Sequence, residues 1–129
     1  MELNIKTEKG SYDLEAFVKS IGQDFLIAVW GGERPHIGAI AVAQPRPSLR
    51  DESVTSATAS VFCFLGHKED IIAKDAAEKI SSALNANVTV TAGIHWDDMH
   101  DSAIGLVVEN SRDLITMIIE KIRAEKGGT

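Results

Sequence analysis

The chain has 129 residues, with 13 Lys and Arg against 19 Asp and Glu, a formal charge of −6 at pH 7; this fits one domain and leaves no room for two independent cores. With 44% hydrophobic and 25% charged residues it reads as an ordinary globular protein, and its acidity argues against general nucleic-acid binding, which needs a basic field to displace counterions from phosphates. No apolar run approaches the roughly 20 residues that span a bilayer, Met1–Gly10 lacks the apolar core of a signal peptide, and a lone cysteine, Cys63, excludes an internal disulfide or a Cys-rich zinc module, so the expectation is a cytoplasmic protein without nucleic-acid or membrane partners.

The first half alternates as half-buried strands do. Leu3 and Ile5 share one face of a first strand, and Gly10-Ser11 follows as a turn. Tyr12, Leu14, Ala16 and Val18 mark a second strand, and the apolar run Phe25–Trp30 a third, covered on both faces. Two more strands are expected at Ile37–Ala43 and Val54–Leu65, joined by a loop from Pro45 to Glu52. The period then changes. Ile72, Ala76, Ile80 and Ala83 fall at helical spacing, with Asp75 as the expected cap after a turn at 68–72. Val88–Ile94 alternates with threonine as a strand. Leu114, Ile115, Ile118 and Ile122 form the stripe of a final helix, expected to be capped by Asn110 or Ser111; Ser102–Val108 before it fits a helical turn or a short strand, and is read as helical. Strands first and helices later predict an α+β fold: a mainly antiparallel sheet of five to six strands with two helices from the second half packed on it. We expect a single domain over residues 1–125 and a frayed tail at 126–129. The apolar strand faces and the C-terminal helix could supply a homodimer interface, but composition does not distinguish that from a closed monomer core.

Charge is unevenly spread. Between Arg34 and Lys68 stand four basic residues, Arg34, Arg46, Arg50 and Lys68, against Asp51 and Glu52. A local basic patch on an acidic protein suits a small anion better than a polymer. Three of the four histidines sit beside glycine in expected turns: Pro35-His36-Ile37-Gly38, Gly66-His67-Lys68 and Gly93-Ile94-His95. Glycine allows backbone amides to approach a ligand closely. In Gln44-Pro45-Arg46-Pro47-Ser48 the prolines stiffen the chain, Arg46 offers a bidentate fork for phosphate and Ser48 a hydroxyl donor; a rigid connection with a surface arginine is the plainer alternative. Cys63, between Phe62 and Phe64, is expected to face the core. Trp30 and Trp96 suit packing or stacking on a planar ligand. No dinucleotide fingerprint, P-loop or GxSxG elbow occurs.

Pro35-His36-Ile37-Gly38, Pro45-Arg46-Pro47-Ser48-Leu49, Gly66-His67-Lys68 and Gly93-Ile94-His95, in that order and spacing, resemble the LpdD-type prenylated-flavin chaperones associated with gallate and other UbiD-type decarboxylases. The resemblance covers about Phe25 to Ile119. Three departures stand out: Trp96 replaces an aliphatic residue, Asp98-Met99-His100 an Asn-rich turn, and Trp30 a smaller residue. The resemblance implies a non-catalytic carrier of prenylated FMN (or FMN), made by a flavin prenyltransferase and handed to a UbiD-type decarboxylase. The implied cofactor contacts are Pro35, His36, Ile37, Gly38, Arg46, Ser48, Gly66, His67, Lys68, Ile94, His95 and Asp97. Arg46, Ser48 and the Gly66-His67-Lys68 turn would grip the phosphate; Ile37, Ile94 and Trp96 would wall the ring; His36, His95 and Asp97 would meet its edge. The rival expectation is a metal-dependent hydrolase or lyase that assembles His36, His67, His95 and Asp97 by tertiary folding, although no two of these histidines have local metal-ligand spacing.

Overall fold

A computed structural model describes residues 1–64 and 69–127. Six strands, β1 (Glu2–Lys6), β2 (Leu14–Ile21), β3 (Asp24–Gly32), β4 (Ala39–Pro47), β5 (Thr55–Cys63) and β6 (Val88–His95), form one sheet in the order β1-β2-β3-β6-β4-β5. Every pair is antiparallel except β3 with β6. Two helices, α1 (Asp70–Leu84) and α2 (Asp101–Gly127), complete the α+β fold expected from the order of periodicities.

The period-2 pattern decides which face the helices cover. Leu14, Ala16 and Val18 on β2, Phe25, Ile27 and Val29 on β3, Val88, Val90 and Ala92 on β6, and Ala39, Ala41 and Ala43 on β4 are all buried. They meet Ala73, Ala76, Ala77 and Ile80 of α1 and Leu114, Ile115, Ile118 and Ile122 of α2 in one core. Small alanines on β4 face the alanines of α1, so helix and sheet approach closely. Each fully buried Ile or Leu contributes about 1.5–3 kcal/mol.

Several boundaries differ from expectation. β4 continues through Pro45, Arg46 and Pro47 instead of breaking into a loop at Pro45. Its pairing with β6 ends at Ala43, so beyond that point it has β5 as its partner strand, and proline is tolerated where one side of a strand is unpaired. Asp75 is not a cap: α1 begins at Asp70, and Asp75 lies inside it, accepting from Lys79 Nζ at 3.1 Å. Nor do Asn110 and Ser111 cap the last helix, which is one rod from Asp101. The Asn110 amide instead donates to the carbonyls of Ser11 (3.0 Å) and Tyr12 (2.8 Å), tying α2 to the turn before β2. α2 runs on through Gly127, and the Lys126 ammonium lies 5.0 Å over the Phe25 ring. No helix among the described residues is long and apolar enough to cross a membrane.

Candidate functional site

The strand order brings three loops to one end of the sheet. β3 and β6 are parallel neighbours, so both finish there, with Gly32 beside His95. β4 is antiparallel to β6 and starts there; β5, antiparallel to β4, finishes there. The β3–β4 connection must therefore cross the end of β6. It is pinned by Glu33 N–H to His95 O (2.8 Å) and Gly38 N–H to Ala92 O (2.9 Å). The residues on either side of the β5–α1 connection lie at the same place: Phe64 N–H donates to Gly38 O at 2.8 Å, and the Glu69 carboxylate lies against Gly38.

Glycine is required at these crossings for want of space. A Cβ on Gly93 would run into the backbone carbonyl of His36, and one on Gly38 into the Glu69 carboxylate. These absent side chains let His36 lie over the strand end.

His36 is held on both ring nitrogens. Nδ1 is 2.8 Å from the Arg34 carbonyl, and a carbonyl only accepts, so Nδ1 carries a proton and donates it. Nε2 stands 2.9 Å from Oε1 of Glu69, a carboxylate whose side chain is only 9% exposed. The same oxygen accepts the Ile94 N–H at 3.3 Å. Across the site the His95 Nε2–H donates to Asp97 Oδ1 at 2.9 Å, and Asp97 Oδ2 is 3.7 Å from an Arg34 guanidinium nitrogen. Arg34 thus links the two imidazoles, through its carbonyl to His36 and through its exposed guanidinium and Asp97 to His95. Trp96 packs edge-on against Tyr12, with centroids 5.0 Å apart and planes at 74°, and closes the side next to Gly31 and Gly32.

The hydrogen bond from the His95 ring, then one involving Glu33 and the nearby Arg34 charge, hold the Asp97 carboxyl below its ordinary 3.8. For a carboxyl depressed in the folded state, the associated stabilisation is complete above the ordinary value and is lost as pH falls through the lowered one. A carboxyl-detected NMR titration should therefore give Asp97 a midpoint below 3.8, and His95→Ala should move that midpoint upward. A midpoint at or above the ordinary value in the parent protein would contradict the tie.

The expected site residues divide into three groups. Pro35, His36, Ile37, Gly38, His95 and Asp97 meet at this end, with Ile37 exposed. Ile94 meets them through its backbone N–H, while its side chain is buried in the core. Gly66, His67 and Lys68 lie outside the described residues, between Phe64 and Glu69. Arg46 and Ser48 are not brought here. Arg46 stands eight positions along β4 from Gly38, roughly 26 Å at about 3.3 Å per residue, because the prolines extend the strand. Its Nε donates to Thr58 Oγ1 at 2.6 Å and an Nη to Pro47 O at 3.1 Å, while Ser48 Oγ accepts the Arg50 N–H at 3.2 Å within its own turn.

Two participants escaped sequence reasoning. In sequence Arg34 is one cation of a basic window, and Glu69 carries no signal beyond standing just before a helix. Cys63, expected in the core, is exposed at the end of an edge strand. Trp30 donates its indole N–H to Glu15 Oε2 at 3.1 Å instead of facing the histidines. Among the described residues no three His, Cys, Asp or Glu side chains gather into a group that could hold a metal.

Comparison with known proteins agrees with this geometry in fold and in family. A chain from the crystal structure of a chaperone complex for yeast 20S proteasome assembly superposes with a TM-score of 0.54, covering 97% of this chain and 96% of that one. At 16% identity that likeness speaks for the fold alone. Protein LpdD of Lactiplantibacillus plantarum is 30% identical over 118 residues, which span 92% of this chain and 83% of that protein. The model of the prenylated flavin chaperone LpdD-like domain matches residues 8–123, which include both imidazoles, Arg34, Glu69 and Asp97. With nearly the whole sheet and both helices inside that match, the chain belongs to the LpdD-like prenylated flavin chaperone family.

Proposed function

We propose that the chain binds prenylated FMN at the end of the sheet where His36 and His95 meet, turns nothing over itself, and passes the cofactor from a flavin prenyltransferase to a UbiD-type decarboxylase. The observation that carries this reading is that His36, His95, Asp97 and the exposed guanidinium of Arg34 are tied together at one end of the sheet, where Gly32, Gly38 and Gly93 leave the backbone bare. A flat heterocycle with a polar edge needs donors and acceptors in one plane and an open approach beside them. His95 supplies Nδ1, the ring nitrogen that Asp97 does not engage, Asp97 a carboxylate, His36 a fixed imidazole edge, and Ile37 and Phe64, both exposed, an apolar surface. Arg34 is the phosphate partner in this proposal, the role first expected of Arg46. When bound, the flavin supplies the reactive ring system, and the protein contributes binding, orientation and shelter from water.

The test is equilibrium titration of the purified chain with prenylated FMN, followed by the absorbance spectrum of protein co-expressed with a flavin prenyltransferase. Saturable binding and a flavin-type spectrum are expected; a colourless protein that binds neither redox state overturns the proposal. Arg34→Ala should weaken binding by about 1.5–3 kcal/mol, the range for losing a charge-assisted pair, which is roughly ten- to hundredfold. Arg46→Ala should leave the affinity within about twofold, since a charge some 26 Å away in salt is screened. The reverse ranking would move the phosphate site to the far end of β4.

A further inference from the structure

The sheet has a second face, and it is unusual. A half-wet antiparallel sheet ordinarily turns polar residues toward water. Here both helices occupy one face, and on the other Leu26, Val42, Phe62 and Phe64 are 42–62% exposed. Register aligns them across four neighbouring strands: Leu26 lies opposite Thr89, Thr89 opposite Val42, and Val42 opposite Ser60. In the next row Ala28, Thr91, Ile40 and Phe62 are aligned the same way. Phe62 and Phe64 make an edge-to-face pair with centroids 5.1 Å apart. Neither row carries a charge on these strands.

We propose that a second copy of this chain covers this face, sheet against sheet about 10 Å apart, as a two-fold sandwich. Three observations favour a second copy over another partner. The first is charge. Two molecules of net −6 repel unless they meet on a neutral surface, and this surface is neutral. Its β1–β2 margin carries charges in opposed pairs, Glu2 with Lys19 at 3.2 Å and Lys6 opposite Glu15 in register. The second is area. Six strands about 4.8 Å apart and about eight residues long give roughly 600–750 Å² of flat sheet, close to the about 800 Å² per partner of a standard interface. The third is continuity with the edge. Ser53–Phe64, which contains the whole edge strand β5, has no charged residue, proline or glycine, so the uncharged face runs without interruption to that edge of the sheet. This inference does not depend on flavin binding.

Sedimentation equilibrium of the full flavin-free chain from 1 to 100 µM tests it. The expected particle contains two 13.9 kDa chains. Val42→Asp and Leu26→Asp, each exposed in one chain, should raise the dimer dissociation constant at least a hundredfold, while Leu49→Asp, on a distant loop, leaves it unchanged. Circular dichroism reports whether each variant is folded. Should both Asp variants unfold, carbene footprinting of the parent protein decides: Leu26, Val42 and Phe62 should be protected at high concentration and labelled at low. A parent monomer across the range overturns the proposal, as does a dimer as indifferent to Val42→Asp as to Leu49→Asp. Protection that appears only when a decarboxylase is added assigns the face to that enzyme and also overturns it.

Discussion

Gly93→Ala is expected to destabilise the protein by about 3 kcal/mol or more, the upper range for overpacking where neither side can yield. For a chain of this size that is a fall in Tm of roughly 10 °C. The new methyl would enter the backbone carbonyl of His36. Neither backbone is free to retreat. Gly93 is paired with Trp30 in the parallel β3–β6 ladder, and the His36 loop is stapled at Glu33 to His95 O and at Gly38 to Ala92 O. Any relief must lift the loop from the sheet, so loss of flavin binding should accompany the loss of stability. Gly105→Ala provides the opposite case. It lies inside α2 with nothing within 4 Å of a Cβ, and should gain about 0.5–1 kcal/mol from helix propensity. Thermal melts of the two variants check both signs. A Gly93→Ala protein that melts within two or three degrees of the parent would show that the loop does not rest on β6.

Much of the fold was legible because it is written in local periods. The alternation at Leu14, Ala16 and Val18 and the helical stripe at Leu114–Ile122 each name an element and its buried face; the apolar run at Phe25–Trp30 names a strand but not its faces, since the expected cover on both sides is missing at Leu26, which is 42% exposed. Boundaries failed where tertiary contacts outweighed local signals. Asn110 looks like a cap until its amide finds the carbonyls of Ser11 and Tyr12 across the molecule. Pro45 and Pro47 look like loop residues until β4 is seen to outrun its partner β6. The site was half legible for a related reason. Glycine beside histidine marks two positions that lie at one end of the sheet, His36 and His95. Their adjacency, however, follows from β6 inserting between β3 and β4, and no local pattern encodes that order. Arg46 lies at the opposite end of the sheet because β4 runs on as a strand through Pro45 and Pro47, so eight residues from Gly38 become extended length and not a turn. Glu69 was invisible because a carboxylate just before a helix is ordinarily solvated, whereas here it is drawn under the His36 loop.

Glu69 should therefore be the side chain whose removal does most harm at the site. Its carboxylate meets the His36 ring at 2.9 Å and the Ile94 N–H at 3.3 Å in a setting with little water. Glu69→Ala would strip the acceptor from a buried N–H and leave a cavity beside Gly38. Losses of this kind cost about 2–4 kcal/mol, and His36, freed to leave its position, should lower flavin affinity as well. Glu69→Gln separates the two effects. The amide keeps the volume, and its oxygen can still accept from Ile94 N–H, so stability should stay within about 1 kcal/mol of the parent. Its lost negative charge changes what faces His36 Nε2, so any change in flavin affinity or in the pH dependence of binding would then come from the charge and not from collapse. Thermal melts and flavin titrations across pH 5–8 on parent, Ala and Gln variants provide the readout. If Glu69→Ala folds and binds like the parent, His36 is held by the Arg34 carbonyl alone and the buried carboxylate has no part in shaping the site.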